Sequence, residues 1–461
     1  MMRTATRRRG LTGRVTALLW LCPVLAFGVM PGTARAQSPK PAPYPIDLPT
    51  ALRLADAQNL DVQIARERIK EAEAHRTSAM EQFLPWLAPG VAFRRRDGVA
   101  QASPSGIIGK AAFQSYQPGL SATAQIALGD AIYNSLAARQ LVKASGEALD
   151  AQRQAAALRA AEGYFDLVKA NALVEVVRAA LATSQDYQQQ LHEAVTIGIA
   201  FRGDELRVQS QTERYQVVLR QAVAQRRIAA VDLARVLHLD PAVELAPRDA
   251  ELVPLTLIDT ASVADSLVTQ AMRSRPELRQ TEALLAASRA SRNAALYGPL
   301  IPAFGAQLFT GSLGGGPDSG HSKTAAMTDY TIGVSWRIGA GGLFDIGRMN
   351  ATASQLATAQ LGESKLRDAV AAEVLTGLTR VRSLAEQIAL SARALETANA
   401  TLALTRARKE FGVGLVLEDL QAQQAVTQAR SDYVTAIAEF DKAQYGLRRA
   451  VGRSTPEGTP R

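Results

Sequence analysis

The chain consists of two similar halves, and this internal repetition restricts its fold more than any other feature of the sequence. The segment ADAQNLDVQIARERIKEAEA, which begins at Ala55, aligns with AMRSRPELRQTEALLAASRA, which begins at Ala271. FLPWLAPGVAF, from Phe83, aligns with LIPAFGAQLF, from Leu300. Over about 215 residues, each half therefore predicts the order helix, strand, loop, strand, long helix, glycine break and helix.

The two repeats leave a short segment at each end of the chain. The first segment predicts a secretory signal peptide, because arginines precede the apolar run ALLWLCPVLAFGVM and the small-residue site ARA follows it. The assigned segments are the signal peptide at 1–36, the first repeat at 37–250, the second repeat at 251–452 and a C-terminal tail at 453–461. We therefore expect the chain to leave the cytosol.

Cys22 is the only cysteine in the sequence, and it lies within the apolar run of the signal peptide. Trp20 and Leu21 precede it and are bulkier than the small residues of a lipoprotein processing site, so we expect no lipid anchor. Removal of the signal peptide would leave a chain without cysteine, which excludes disulfides and thiol chemistry.

The formal net charge of +9 does not indicate nucleic-acid binding, because the six arginines of the signal peptide account for most of it. The remaining charge of +3 is small, and we expect no nucleic-acid partner. After the signal peptide, no segment has the roughly 18 consecutive apolar residues that a spanning helix requires. Entry into a membrane would therefore have to occur through strands.

Four segments alternate apolar and polar residues with the period of a half-exposed strand. We place them near residues 86–98, 118–128, 303–312 and 329–338. In DYTIGVSWRI, for example, the apolar positions are Tyr330, Ile332, Val334, Trp336 and Ile338. The glycine- and serine-rich segments between paired strands, 97–116 and 310–328, predict exposed loops. One hairpin per half is too small a sheet to bury its apolar face, so lipid is the expected environment.

The predicted helices are long and rich in alanine. Residues 130–197 keep a helical pattern without proline, which corresponds to a helix of roughly 100 Å. The last helix has an apolar stripe with the spacing of coiled-coil packing, formed by Val426, Ala429, Tyr433, Ile437, Phe440, Leu447 and Val451. Its polar face contains Gln424, Thr427, Ser431 and Asp441. This face fits either a solvated helix surface or the lining of a channel.

Each long helical run is interrupted by glycine. EFGVGLVLEDLQAQQ, from Glu410, contains two glycines between helical runs, and TIGIAFRGDELRVQSQ, from Thr196, occupies the equivalent place in the first repeat. An interior glycine costs a helix about 1 kcal/mol. We therefore predict turns near residues 198–203 and 411–416, where glycine can adopt a positive φ.

In these features the chain resembles the TolC-like outer membrane efflux protein family, over nearly all of the sequence after the signal peptide. The resemblance lies in the repeat starts around NLDV and RPEL, the strand starts FLP and LIP, and FGVGLVLEDLQAQ, which matches the glycine-leucine turn at the helical tip. It implies a mainly α fold with β strands. Long antiparallel helical hairpins would form a periplasmic α-barrel, and four strands per chain would contribute to the twelve-stranded outer-membrane β-barrel of a homotrimer.

The resemblance also implies functional residues at the tips of the hairpins. The implied contacts with a periplasmic adaptor protein are Gly198, Ala200, Phe201, Gly412, Gly414 and Leu415. The acids that follow the turns match the region whose carboxylates surround the channel entrance in relatives; they are Asp204, Glu205, Glu418 and Asp419. Acids at these positions also stabilise helix N-termini, and both roles stay open. Val416 stands where some members have a gating arginine, so that gate is not transferred to this chain.

The implied function is that of an outer-membrane exit duct, extending into the periplasm, in a tripartite efflux system. An inner-membrane pump and the adaptor would pass small molecules to the duct. A duct for type I protein secretion is an alternative with the same fold. A periplasmic coiled-coil adaptor or structural protein is an alternative from a different class, but two equal repeats with lipid-type strands argue against it.

The sequence does not predict an enzyme. His75, His192, His238 and His321 are scattered and lack the spacing of metal ligands. Neither a nucleophile elbow nor a nucleotide-binding loop is recognisable. We expect no cofactor and no metal, because a passive duct requires neither.

Overall fold

The computed structural model describes residues 44–101, 106, 108–248, 252–317, 324–339, 341–410 and 416–453. The predicted signal peptide, His321, and all of the C-terminal tail except its first residue lie outside them. The first repeat contains β1 (Tyr44–Ile46), α1 (Leu48–Gln58), α2 (Leu60–Glu81), β2 (Trp86–Gln101), β3 (Ile108–Ala127), α3 (Leu128–Thr196), α4 (Arg202–Val236) and β4 (Leu245–Pro247). The second contains α5 (Ala264–Ser274), α6 (Pro276–Tyr297), β5 (Ala303–Pro317), β6 (Ala325–Ser335), α7 (Ile346–Glu410) and α8 (Val416–Ala450).

Equivalent residues of the two repeats make equivalent contacts. Gly163 of α3 lies against Leu233 of α4, and a Cβ at this glycine would be 3.2 Å from the leucine Cδ1. Gly377 of α7 lies against Leu447 of α8 in the same way, at 3.3 Å. Gly377 follows Gly163 in the sequence by the same number of residues as Leu447 follows Leu233, as expected for two repeats. In each hairpin, glycine therefore allows the two antiparallel helices to approach closely.

The long helices carry the fold, and the shorter helices pack on them. The 69 residues of α3 extend over about 100 Å. Two apolar cores lie where α1 packs on α3 and α4, and where α5 packs on α7 and α8. No described helix has an apolar stretch of the length and hydropathy that a bilayer-spanning helix needs.

A cluster of charged side chains joins the two repeats. Lys442 of α8 lies 3.0 Å from Asp166 of α3 and 2.6 Å from Glu439 of its own helix. Lys169 of α3 contacts the same two acids, at 3.0 and 3.1 Å. Because each cation lies between an acid of α3 and an acid of α8, the cluster holds the first hairpin against the second.

The larger sheet is antiparallel and has the order β2-β3-β5-β6. The inner strand of one hairpin therefore pairs with the inner strand of the other, while β2 and β6 form the edges. Leu87, Ala122, Leu308 and Tyr330 are aligned across the four strands on one face. On this face several large apolar side chains are 58 to 75% exposed, namely Leu87, Val91, Phe93, Tyr330, Ile332 and Val334. A single chain leaves this surface uncovered.

The strands are longer than predicted. They occupy most of segments 97–116 and 310–328, so the prediction of loops there is largely wrong. Residues 108–116 belong to β3, and β5 continues to Pro317. Their glycine and serine content hid the alternation, but pairing with the neighbouring strand satisfies their backbone groups. Glycine is also required by the close approach of β3 and β5, because a Cβ on Gly311 would lie 2.2 Å from the backbone carbonyl oxygen of Pro118. Conversely, β6 ends at Ser335, before the predicted Trp336 and Ile338.

Two features of the fold were not predicted. β1 and β4 form a parallel two-stranded pair, which is too short to give a periodic pattern. Asp441, predicted on the polar face of the last helix, is fully buried. Its Oδ1 accepts a hydrogen bond of 2.8 Å from the backbone N–H of Leu255, because the segment that connects the repeats lies across α8. The sequence contains no signal for this distant contact.

The buried Asp441 predicts a pH dependence of stability. Burial raises the pKa of this carboxyl group from 3.8 to about 7. The folded state therefore binds this proton more tightly than the unfolded state, and its stability decreases as the pH rises through this window. Asp441→Asn retains an acceptor for Leu255 and stays neutral, so we expect it to raise the Tm above pH 7 and to leave it unchanged below pH 4.

The check is thermal unfolding of both proteins across this pH range. Asp47 is a suitable control, because hydrogen bonds from Thr50 lower the pKa of its carboxyl group. Asp47→Asn should therefore destabilise the protein at neutral pH. A lower Tm for Asp441→Asn at pH 8 would contradict the prediction.

Candidate functional site

The first helical tip is the turn formed by residues 197–201, between α3 and α4. Gly198 has a φ of +83°, in the left-handed region that glycine adopts without strain. The backbone N–H groups of Ile199 and Ala200 both donate to the carbonyl oxygen of Ala194, at 3.0 and 3.2 Å. These bonds satisfy the C-terminal end of α3 and reverse the chain direction.

The first tip presents large apolar side chains to solvent. Ile197, Ile199 and Phe201 are 72, 77 and 75% exposed. The ring of Phe201 lies over Gly203, where a Cβ would be 2.7 Å from it. Ala200, in contrast, packs inward. Such exposed apolar groups at a turn are typical of an interaction surface.

Ile197 and Ile199 were missed by the sequence analysis, although they flank the predicted Gly198. Their position in the sequence could have identified them, because large apolar residues on both sides of a turn glycine lie too far from a hydrophobic core to be buried in it. We define the tip patch as Ile197, Ile199 and Phe201.

A small apolar cluster supports this tip from within. It consists of Tyr187 and Leu191 of α3, Val208 of α4 and Leu420 of α8, all buried. Ala200 and Val416 pack against it. Because Leu420 and Val416 begin α8 of the second repeat, the cluster connects the tip end of the second hairpin to the first tip. Gly412, Gly414 and Leu415 of the predicted second tip lie outside the described residues.

The two acids of the first repeat are paired with basic side chains. Glu205 is nearly buried, and its Oε1 lies 2.8 Å from Nδ1 of His192. Arg202 donates to its Oε2. The hydrogen bond with His192, assisted by Arg202, lowers the pKa of Glu205. Asp204 accepts a hydrogen bond of 3.0 Å from Arg207. Both carboxylates also lie in the first turn of α4, where the helix dipole favours negative charge.

The two acids of the second repeat differ from each other. Glu418 lies 3.3 Å from Arg408. Asp419 is 3% exposed, and its Oδ2 accepts a hydrogen bond of 2.8 Å from Gln423. Its Oδ1 has no hydrogen-bond partner among the described residues. The pKa of Tyr187 is raised to about 12 by burial and by the nearby Asp419 and Asp204.

The pairing limits the net negative charge that these acids leave at the helical tips. Asp204, Glu205 and Glu418 each have a basic partner in the same chain, whereas Asp419 has no cation within 4.0 Å among the described residues. Because neighbouring basic side chains neutralise Asp204, Glu205 and Glu418, these pairings favour a role for the three acids in stabilising the helix N-termini. Within the same residues, no group of three potential metal ligands occurs.

Comparison with known proteins agrees with this architecture. Residues 267–453 match the outer membrane efflux protein family. The channel OprN has a similar structure, with a TM-score of 0.74 at 19% identity over 88% of this chain and 90% of that chain. The CmeC channel of Campylobacter jejuni gives 0.74 at 15% identity over 88 and 85%. A search of curated protein sequences found no match.

The MtrE channel of Neisseria gonorrhoeae, solved in its open state, gives a TM-score of 0.71 at 19% identity over 88% of this chain and 89% of that chain. At these identities the likeness concerns the fold. The predicted fold class, with long antiparallel helical hairpins and four strands per chain, is confirmed. The chain has the fold of outer-membrane channels, and its second repeat has the sequence pattern of the outer membrane efflux protein family.

Proposed function

We propose that three copies of this chain form an outer-membrane exit duct that extends into the periplasm. The observation that carries the proposal is the four-stranded sheet, whose edge strands β2 and β6 each pair on one side only among the described strands. Open edges beside an uncovered apolar face are unstable in an isolated chain. Three sheets joined edge to edge would close a twelve-stranded barrel with lipid outside and water inside.

The helical part supports the same assembly, because apolar stripes lie on its two outer helices. The helices pack in the order α4, α3, α8, α7. The stripe on α7 recurs about every four turns and consists of Leu361, Leu375, Leu390 and Leu404, all exposed. The stripe on α4 consists of Leu206, Val217, Ile228 and Val231, also exposed. Packing of α4 against α7 of the next copy would bury the α4 stripe against the α7 leucines from residue 375 to the tip and close a helical barrel.

The tip patch supports a role in a multi-protein exporter. Ile197, Ile199 and Phe201 lie at the end of the helices furthest from the sheet, where a periplasmic partner would meet the duct. We propose that this partner is an adaptor protein, which links the duct to an inner-membrane pump that supplies the energy. The exported substrates would be small molecules, with a type I protein secretion duct as the alternative.

Electron microscopy of the detergent-extracted, signal-cleaved protein tests the assembly. We expect particles with three-fold symmetry, a hollow axis and a length above roughly 100 Å, because α3 alone has that length. Detergent should surround the sheet end only. A solid rod or a monomer free of detergent would mean that the strands do not close a barrel.

A further inference from the structure

A cavity of about 310 Å³ lies between the two helical hairpins, a few turns above the tips. α3, α7 and α8 each contribute one helix face to it, and α4 contributes Tyr215. The helices leave space because several of the lining residues are small, including Ala179 and Ala180 of α3 and Ala403 of α7. A well-packed bundle would fill this position with larger side chains.

The cavity contains positive charge without a partner. Arg406 of α7 and Arg430 of α8 both line it, and within the described chain neither has a carboxylate within 4.0 Å. Arg408, two residues from Arg406, is paired with Glu418 at 3.3 Å. Both arginines are exposed, so an external anion can reach them.

A buried donor without a partner also lies in the cavity wall. Tyr215 is 7% exposed, and its hydroxyl group makes no hydrogen bond in the part of the chain that the structure describes. The hydroxyl oxygen is covered by surrounding atoms, so Tyr215 contributes to the wall of the cavity without offering a hydrogen bond to an occupant.

The remaining walls are partly apolar, including Leu402 of α7 and Val426 of α8. The volume is near the lower end of the range for small-molecule pockets, roughly 300 to 1,000 Å³. It is about twice the size of an engineered cavity of about 150 Å³ that binds benzene. The occupant that fits is therefore larger than an inorganic ion and has an apolar part.

We propose that this inter-hairpin cavity binds a small organic anion with an apolar body, such as an aromatic carboxylate. Arg406 and Arg430 would bind the carboxylate, because guanidinium and carboxylate groups match as paired donors and acceptors. The apolar walls would hold the ring. Both arginines belong to the second hairpin, and α3 of the first hairpin supplies part of the apolar wall. The site belongs to a single chain and does not depend on the proposed duct.

Isothermal titration calorimetry of the full purified protein with 4-iodobenzoate, at constant ionic strength, tests the proposal. We expect one site per chain, and binding of the neutral 4-iodobenzamide weaker by at least about tenfold, because charge-assisted hydrogen bonds would be lost. Arg406→Met and Arg430→Met should each weaken 4-iodobenzoate binding by a similar factor. The iodine position in a crystal should lie beside both arginines.

Arg214→Met is the matched control, since Arg214 is exposed on α4, outside the cavity, and forms no ion pair with the described residues. It should bind 4-iodobenzoate as the unmodified protein does. Absence of binding at millimolar concentration, equal binding of the neutral amide, or iodine density elsewhere would overturn the proposal. If no anion binds but the two arginine variants lose adaptor binding, the occupant is an acidic protein side chain and the proposal is wrong.

Discussion

Replacement of Phe201 by aspartate is expected to abolish export while trimers remain in the outer membrane. Phe201 is 75% exposed in the tip patch, where we propose that the adaptor binds. A carboxylate at this position would have to lose its water on contact with an apolar partner surface, which costs several kcal/mol. Loss of an aromatic residue that is a hot spot at the centre of an interface costs about 2 kcal/mol or more. Adaptor binding should therefore weaken by a factor of about 100 or more.

The aspartate variant should not unfold the tip, which makes it a direct test of the contact. Phe201 is the N-cap residue of α4 and its side chain makes no capping hydrogen bond. Aspartate is among the preferred N-cap residues and accepts hydrogen bonds from the first turn. The substitution therefore removes the apolar contact while supporting the start of α4.

The measurements are adaptor affinity and export in cells that contain the complete exporter. Ile199→Asp is a second variant of the tip patch, and Val263→Asp is the matched control, because Val263 is 66% exposed and lies at the start of α5. The control should export normally. Normal export by both tip variants would exclude the adaptor contact, and loss of trimers would assign Phe201 to assembly instead.

The first tip shows what the sequence predicts and where prediction stops. Gly198 was identifiable because a glycine between two long helical runs marks a reversal. The acids Asp204 and Glu205 were identifiable as first-turn residues of the next helix. The contact of Glu205 with His192 was not, because it depends on how α3 and α4 pack across the turn. The same limit applies to Asp419, whose burial follows from its position between hairpins.

The strands show a different limit. The alternation of polar and apolar residues predicted a strand where the two kinds of side chain are clearly distinct, as in residues 118–127. It was not readable in residues 108–116 and 313–317, because glycine and alanine belong clearly to neither face. Pairing with a neighbouring strand decides such segments, and the partner of β3 is β5 from the other repeat. The cavity around Arg406 and Arg430 could not be predicted from the sequence either, because it depends on how four helices from both repeats pack together.

Replacement of Leu308 by arginine is expected to prevent assembly in the outer membrane. Leu308 lies on β5, an inner strand, and is aligned with Leu87, Ala122 and Tyr330 on the apolar face. If this face contacts lipid, an arginine costs about 2 to 4 kcal/mol near the middle of the bilayer. A trimer contains the substitution three times, so the total cost is comparable to the stability of many folded domains.

Gln307→Arg separates this effect from general damage to the strand. Gln307 is adjacent to Leu308 and faces the opposite side, where it is aligned with Thr123 and Thr331. That face would line the water-filled interior, so the same arginine should have little effect there. Heat-resistant trimers in outer-membrane fractions should therefore be lost for Leu308→Arg and retained for Gln307→Arg. Loss of both would indicate an intolerant strand, and retention of both would mean that the apolar face does not meet lipid.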